Sequence, residues 1–281
     1  MSEDEKTRFD EAMTKYLHAR VSRAQLLAGA GAAAAAGLAL PSLANAQATS
    51  PESVQDIINI ADTAEHLAIT LLTAAVGAAS AIGLSGLILI VVQAALTEEV
   101  YHSKFLESAG AKTLTDTFTV PDPKILTDFT TFFNTVQALE TAFVAAYMAG
   151  VREFTGLNQP SLAKYAYEIG AAEAEHRTLA RAALALGNGT VAGNSADDPP
   201  NNLAFEQNLF NTVADAAAAL QSDGFIGGSG ATATFPGFSA ALTAAGSVAA
   251  QVMNTVPTNA TTPTAAYAVR EGGNPRLIGR R

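Results

Sequence analysis

Apolar positions recur every three to four residues along four long stretches of the chain, and in each stretch a carboxylate interrupts the apolar stripe. In the first, Ile58, Ala61, Glu65, Ile69 and Leu72 share a face, which predicts a helix from about Pro51 to Val76. Ser50 reads as its N-cap, Pro51 suits the first turn, and Glu52 and Asp56 stand where the helix dipole favours acids. Gly77 to Gly86 is poor in helix formers and predicts a turn. A second helix then runs to about Ala109 and stops at Gly110. Its start, Leu84 to Leu96, is apolar almost all round; it is too short and interrupted for a membrane span and reads as buried on most sides. A third helix is expected over Asp128 to Phe154, ended by Gly156 to Pro160, and a fourth over Ser161 to Leu186, closed by Gly187-Asn188-Gly189. Alternation of the kind strands need is scarce, so the expected fold class is all-α, a four-helix bundle over residues 51–187.

Connection lengths set the topology. Short turns join the first helix to the second and the third to the fourth, making two antiparallel hairpins. Ala111 to Lys124, with Pro121 and Pro123, is much longer. At roughly 3.3 Å per extended residue it could cover about 50 Å, enough to run the length of a helix and start the third parallel to the second. After Thr190 the character changes. Pro199-Pro200-Asn201-Asn202 reads as a linker, Ala204 to Gln221 as a fifth helix and Gly224 to Gly237 as loop. A sixth helix is expected near Ser239 to Asn254, followed by a Thr/Pro/Ala-rich tail, so residues 188–281 form a helical and irregular C-terminal extension.

The interrupting residues are Glu65, Glu99 with His102, Glu140, and Glu173 with His176. Glu-x-x-His on a helix sets both side chains on one face a turn apart, where they can hold one ion together. One glutamate from each of two helices plus Glu-x-x-His from each of the other two is the ligand set of a dinuclear carboxylate site. A register argument supports it. Glu65 and Glu99 are equidistant from Ile82, and Glu140 and Glu173 from the Gly156–Leu157 bond, so both hairpins turn where the breakers lie. All four carboxylates then share a layer. No Lys or Arg lies on the same stripes, and buried charges cost several kcal/mol unless paired or coordinated; two divalent cations would balance them. Two glutamates would bridge, two would be terminal, and each histidine would serve one metal. The chain has no cysteine, which excludes disulfides, iron–sulfur clusters and thiolate zinc sites and leaves Fe or Mn, with Zn as a further option.

Neighbouring residues read differently. Glu98 and Glu175 point away from the stripe and are expected to be solvated; His66 is expected to pack or form an interface, with a role as a ligand or as support to one the alternative. Tyr101 and Tyr167 are read as packing residues. Tyr147, two turns after Glu140, either donates a hydrogen bond to the carboxylate layer (or traps a radical) or belongs to the core.

A net charge of −10 argues against nucleic acid or anionic lipid as a main partner. The first 46 residues read as an export signal: Arg20 and Arg23 precede an Ala/Gly/Leu stretch, and Ala44-Asn45-Ala46 supplies the cleavage pattern. Ser22-Arg23-Ala24-Gln25-Leu26-Leu27 looks like a twin-arginine signal with Ala24 in place of the second arginine; His18 belongs to this segment. The expected location is periplasmic or secreted, with no membrane span in the mature chain; an Ala-rich helix or an uncleaved anchor is the alternative reading.

Ala64-Glu65-His66-Leu67-Ala68, Thr97-Glu98-Glu99-Val100-Tyr101-His102, Leu139-Glu140-Thr141-Ala142-Phe143 through Tyr147, and Ala172-Glu173-Ala174-Glu175-His176 carry a family resemblance. Residues 51–187 resemble the ferritin-like superfamily, in particular the exported ferritin-like domain family that includes desiccation-related proteins. The resemblance implies a bundle with a single long crossover around a metal site. It leaves the reaction open, because the same ligand set serves oxidases, peroxidases, catalases and storage proteins. The expected function is an exported di-iron or di-manganese protein handling oxygen, peroxide or metal in stress protection. Metal binding without turnover and a purely structural helical protein remain the alternatives, and a homo-oligomer is compatible with either. No Gly-x-Ser-x-Gly elbow or phosphate-binding loop occurs.

Overall fold

The computed structural model describes residues 52–188, 201 and 203–253; the expected export signal with His18, most of the 190–202 linker and the tail after residue 253 lie outside the described residues. Helix α1 spans Val54–Gly77. Its cap is Ser53, not Ser50: the Ser53 hydroxyl accepts from the Asp56 amide while Asp56 accepts from the Ser53 amide, a reciprocal box that starts the helix beyond the expected Pro51. Glu52 therefore stands outside the helix, and its carboxylate accepts from the Ala214 amide at 2.9 Å. A one-turn helix α2 (Ala79–Ile82) fills the turn, ending on Gly83 at φ +92°, and α3 follows over Gly86–Ser108. Helix α4 spans Phe129–Gly156, capped by Asp128 through the Thr131 amide at 2.8 Å, and α5 spans Pro160–Asn188.

The long connection between α3 and α4 climbs alongside α1. Gln55 Nε2 donates to the Gly110 carbonyl at 2.9 Å, and Asn59 Oδ1 accepts from the Lys112 amide at 2.7 Å. Higher up, the Asp62 carboxylate accepts from the Thr113 hydroxyl at 2.6 Å, and Thr63 Oγ1 accepts from the Leu114 amide at 2.9 Å. Positions 55, 59, 62, 63 and 66 of α1 thus form a polar stripe beside its apolar one, and this stripe pairs backbone groups of the half-exposed segment that runs along it. The connection ends beside the α1–α3 turn, where Phe129 comes within 4.0 Å of where a side chain on Gly83 would begin. Helix α4 therefore starts parallel to α3, the single crossover expected from the connection length.

The crossover is not all loop. Its residues Thr117–Val120 form strand β1, paired antiparallel with β2 (Ala231–Thr234) from a segment expected to be loop; Thr117 faces Thr234 and Val120 faces Ala231. The rest of the extension departs from expectation too. The fifth helix is only α6, Val213–Ser222, because the Thr212 and Asp215 capping box starts it late. The sixth is divided by Gly246, at φ +64°, into α7 (Phe238–Ala245) and α8 (Ser247–Met253). Among the described residues no helix is long and apolar enough to cross a membrane.

Buried apolar side chains form two clusters. One joins Leu67, Leu72, Leu96, Val100, Phe132, Leu139 and Leu184 near the α1–α3 turn, and the other joins Ile57, Phe105, Tyr147, Phe154, Tyr165 and Ile169 toward the opposite end. Glu65, Glu99, Glu140 and Glu173 lie where the two clusters meet. The extension contributes to both, with Phe225, Ala241 and Ala245 in the first and Phe210, Val213 and Ala216 in the second.

One glycine tests how firmly the extension is joined. A Cβ on Gly230 would lie 2.0 Å from the Val120 carbonyl oxygen, so Gly230→Ala must push β2 off β1. We expect it to cost about 1–3 kcal/mol, read as a lower melting temperature; Gly77→Ala, with open space around its Cβ, should leave the melt unchanged or slightly raised.

Candidate metal centre

Each of the four long helices delivers its carboxylate to the layer between the two apolar clusters. Helix α1 brings Glu65, α3 brings Glu99 and His102, α4 brings Glu140, and α5 brings Glu173 and His176. Their ligand atoms form two overlapping groups, Glu65, Glu99, His102 and Glu173 in one and Glu99, Glu140, Glu173 and His176 in the other, with the atoms of each group within 4.8 Å of one another. Glu99 and Glu173 belong to both groups. His102 Nδ1 lies 3.1 Å from Glu99, 3.1 Å from Glu173 and 3.6 Å from Glu65. His176 Nδ1 lies 3.0 Å from Glu99, 3.0 Å from Glu173 and 3.9 Å from Glu140. The near two-fold arrangement follows from the matched hairpin registers.

Burial makes the layer electrostatically demanding. Glu65, Glu99, Glu140 and Glu173 are all buried, and one carboxylate oxygen on each lacks a hydrogen bond. Such orphaned, crowded oxygens beside imidazole nitrogens are a donor set that fits hard or borderline divalent cations. Burial pushes the Glu65 carboxyl well above the usual range, and Glu99 and Glu173 push it further. Burial raises Glu140 likewise, reinforced by Glu173 and Glu99. Burial acts in the same sense on Glu99, but His176 and His102 outweigh it and hold that carboxyl well below its ordinary value. For His102 and His176 burial favours the neutral ring; the adjoining glutamates, Glu173 above all for His102 and Glu99 for His176, prevail and raise both well above the usual histidine range. These directions favour the protonated forms of Glu65, Glu140, His102 and His176 and the charged form of Glu99.

Further residues support this layer. The Tyr147 hydroxyl donates to Glu65 Oε1, and burial followed by the Glu65 charge pushes the phenol well above its usual range, so it stays a donor. Gly170 makes room for it: a Cβ there would lie 3.0 Å from the Tyr147 Cβ. Glu98 keeps the partly solvated side chain expected of it and also finds a partner. Its carboxylate reaches across to α5 and meets His176 Nε2 at 2.6 Å, the partner that fixes which ring nitrogen faces the layer. A single-helix projection places Glu98 off the stripe and cannot show that α5 runs beside it. Glu175 is exposed, as expected, whereas Tyr167, read as packing, is largely in solvent. Arg177, which the sequence reading passed over, is buried next to His176 and pairs through both terminal nitrogens, at 2.5 and 2.8 Å, with Glu206 of the extension.

Comparison with known families agrees with the geometry: residues 53–186 match the ferritin-like domain family. This segment is a ferritin-like domain. No curated protein and no solved structure matches the chain.

The protonation pattern of the ferritin-like domain sets its pH behaviour. His102, His176, Glu65 and Glu140 have raised folded-state values, so the stability they lend is present in acid and is lost as pH rises through those values. Glu99 acts oppositely, and its contribution is lost only as pH falls through a value below the ordinary carboxylate range. Cation binding would displace the protons on the raised groups. Chelator should therefore lower the melting temperature at pH 7 and lower it less near pH 5. Calorimetric titration with Mn(II) in buffers of different ionisation enthalpy should show net proton release; binding with no proton release would contradict the assigned protonation.

Proposed function

We propose that the ferritin-like domain binds two divalent ions, iron or manganese, and uses them to react with oxygen or peroxide in an exported, stress-protective protein. The observation that carries this reading is the layer of four buried glutamates, each with an oxygen lacking a hydrogen bond, facing two imidazoles in two overlapping groups. Glu65 and His102 would hold one ion, Glu140 and His176 the other, and Glu99 and Glu173 would be shared. Bound together, two redox-active ions supply two electrons at adjacent centres, which suits reduction of oxygen or peroxide.

The chain's own residues prepare the site for such chemistry. Tyr147 holds a proton one hydrogen bond from Glu65, and Glu98 keeps His176 Nδ1 aimed into the layer. An apolar cavity lined by Ile58, Ala61, Phe105, Phe143 and Ile169 reaches Tyr147. Its apolar lining would favour a small apolar molecule such as dioxygen over water. The ligand set constrains the metal more tightly than the reaction, so turnover has to be measured.

Anaerobic protein loaded with Fe(II) should consume oxygen or peroxide when mixed with either, followed by an oxygen electrode and stopped-flow absorbance. Glu99→Ala and Glu173→Ala should each abolish the reaction, because each removes a carboxylate shared by both groups. About two ions bound per chain without turnover would overturn the oxidoreductase reading and leave a metal-sequestering protein. Export rests on Arg20, Arg23 and the Ala44-Asn45-Ala46 pattern. Mass spectrometry of the native protein should find Gln47 at its N-terminus, and an intact Met1 would contradict signal cleavage.

A further inference from the structure

On the outer side of α1, away from the glutamate layer, a buried imidazole points an unused nitrogen at two carboxylates. His66 Nε2 has no hydrogen-bond partner, although the residue is only 3% exposed. It lies 3.9 Å from Asp62 Oδ1, one turn earlier on α1, and 4.0 Å from Glu107 Oε1 on α3. We propose that Asp62, His66 and Glu107 form a separate site for a single divalent transition-metal ion.

The opposite ring nitrogen supplies the first argument. His66 Nδ1 is 2.8 Å from Asp116 Oδ1 on the crossover, so it carries the proton and donates it to that carboxylate. This leaves the Nε2 lone pair facing Asp62 and Glu107. A carboxylate behind a histidine in this way fixes the ring's orientation toward an ion. The ring has little freedom besides: Phe235 stacks on it at 3.7 Å and Phe238 meets it edge-on at 5.9 Å, both from the extension.

The carboxylates are prepared differently. Asp62 is fully buried, and each of its oxygens accepts one hydroxyl hydrogen, from Ser103 and from Thr113, both at 2.6 Å. Those two bonds fix its plane and leave further lone pairs on both oxygens. The Glu107 side chain is 44% exposed, which gives an ion a way in and leaves room for water to complete its coordination. The spacing suits an ion as well. Donors bound at about 2.0–2.2 Å can stand up to roughly 4.4 Å apart across a metal, and both gaps to His66 Nε2 are shorter than that. At 3.9 and 4.0 Å, neither carboxylate is within hydrogen-bonding distance of a proton on Nε2, so an imidazolium clamp explains the arrangement less well.

Donor chemistry narrows the ion. An imidazole with two carboxylates favours Zn(II), Fe(II) or Mn(II) over Ca(II) and Mg(II), which prefer all-oxygen shells. The site needs the crossover for Asp116 and the extension for Phe235 and Phe238, so it exists only when both have docked on the bundle.

Zinc content separates this site from the glutamate layer. Full-length protein and its Glu107→Gln variant would be loaded with Zn(II), dialysed, and counted by native mass spectrometry. We expect the variant to hold one ion fewer per chain than the parent. A parent with one ion and a variant with none would support this site while contradicting the glutamate layer. Equal counts in both proteins would overturn it. Anomalous scattering at the zinc edge from crystals of the unaltered protein gives a check that no substitution can compromise: a peak beside His66 Nε2 is expected, and its absence when zinc is bound elsewhere would overturn the assignment.

Discussion

Four carboxylates share one layer of the bundle, shut away from water by apolar side chains above and below. An isolated buried carboxylate costs several kcal/mol even after relaxation, so the arrangement persists only if something neutralises it. Burial and mutual repulsion favour a proton on Glu65 and on Glu140, and the adjoining carboxylates favour one on His102 and on His176. Crowding the glutamates opposes close packing of the four helices; the two flanking clusters supply the opposing attraction through Leu96, Val100 and Phe132 on one side and Ile57, Phe105 and Phe154 on the other. The architecture serves this layer: matched hairpins bring the carboxylates to one height, and the crossover lets α4 start beside the first turn.

The C-terminal extension enlarges the bundle and changes its chemistry. Strand β2 pairs with the crossover, Phe235 and Phe238 cover His66, and Glu206 neutralises Arg177 beside His176. Glu52, just before α1, accepts from the first turn of α6, which ties the start of the described chain to the extension. These contacts attach to α1 and α5, two of the helices that carry the glutamates.

Much of the centre was legible because helix period and hairpin register are local rules. Equidistance of Glu65 and Glu99 from Ile82, and of Glu140 and Glu173 from the Gly156–Leu157 bond, was enough to expect one layer. The misses involve partners distant in sequence or choices between similar signals. Ser50 and Ser53 are both plausible caps, and only the reciprocal bond with Asp56 decides for Ser53. Glu98 lies off the stripe of its own helix, yet its side chain spans the gap to His176 on another. Thr117–Val120 alternates too briefly to announce a strand, and its partner lies more than 100 residues later. The polar stripe at 55, 59, 62, 63 and 66 went unread, because its partners are backbone groups of the crossover that only the fold brings alongside.

X-ray absorption fine structure on Mn- or Fe-loaded protein tests directly whether the layer holds paired metals, as proposed. A paired site predicts oxygen and nitrogen neighbours together with a metal–metal scattering shell at roughly 3.5–4 Å. A protein whose layer holds its full complement of metal, yet shows only isolated ions with no such shell, would contradict it.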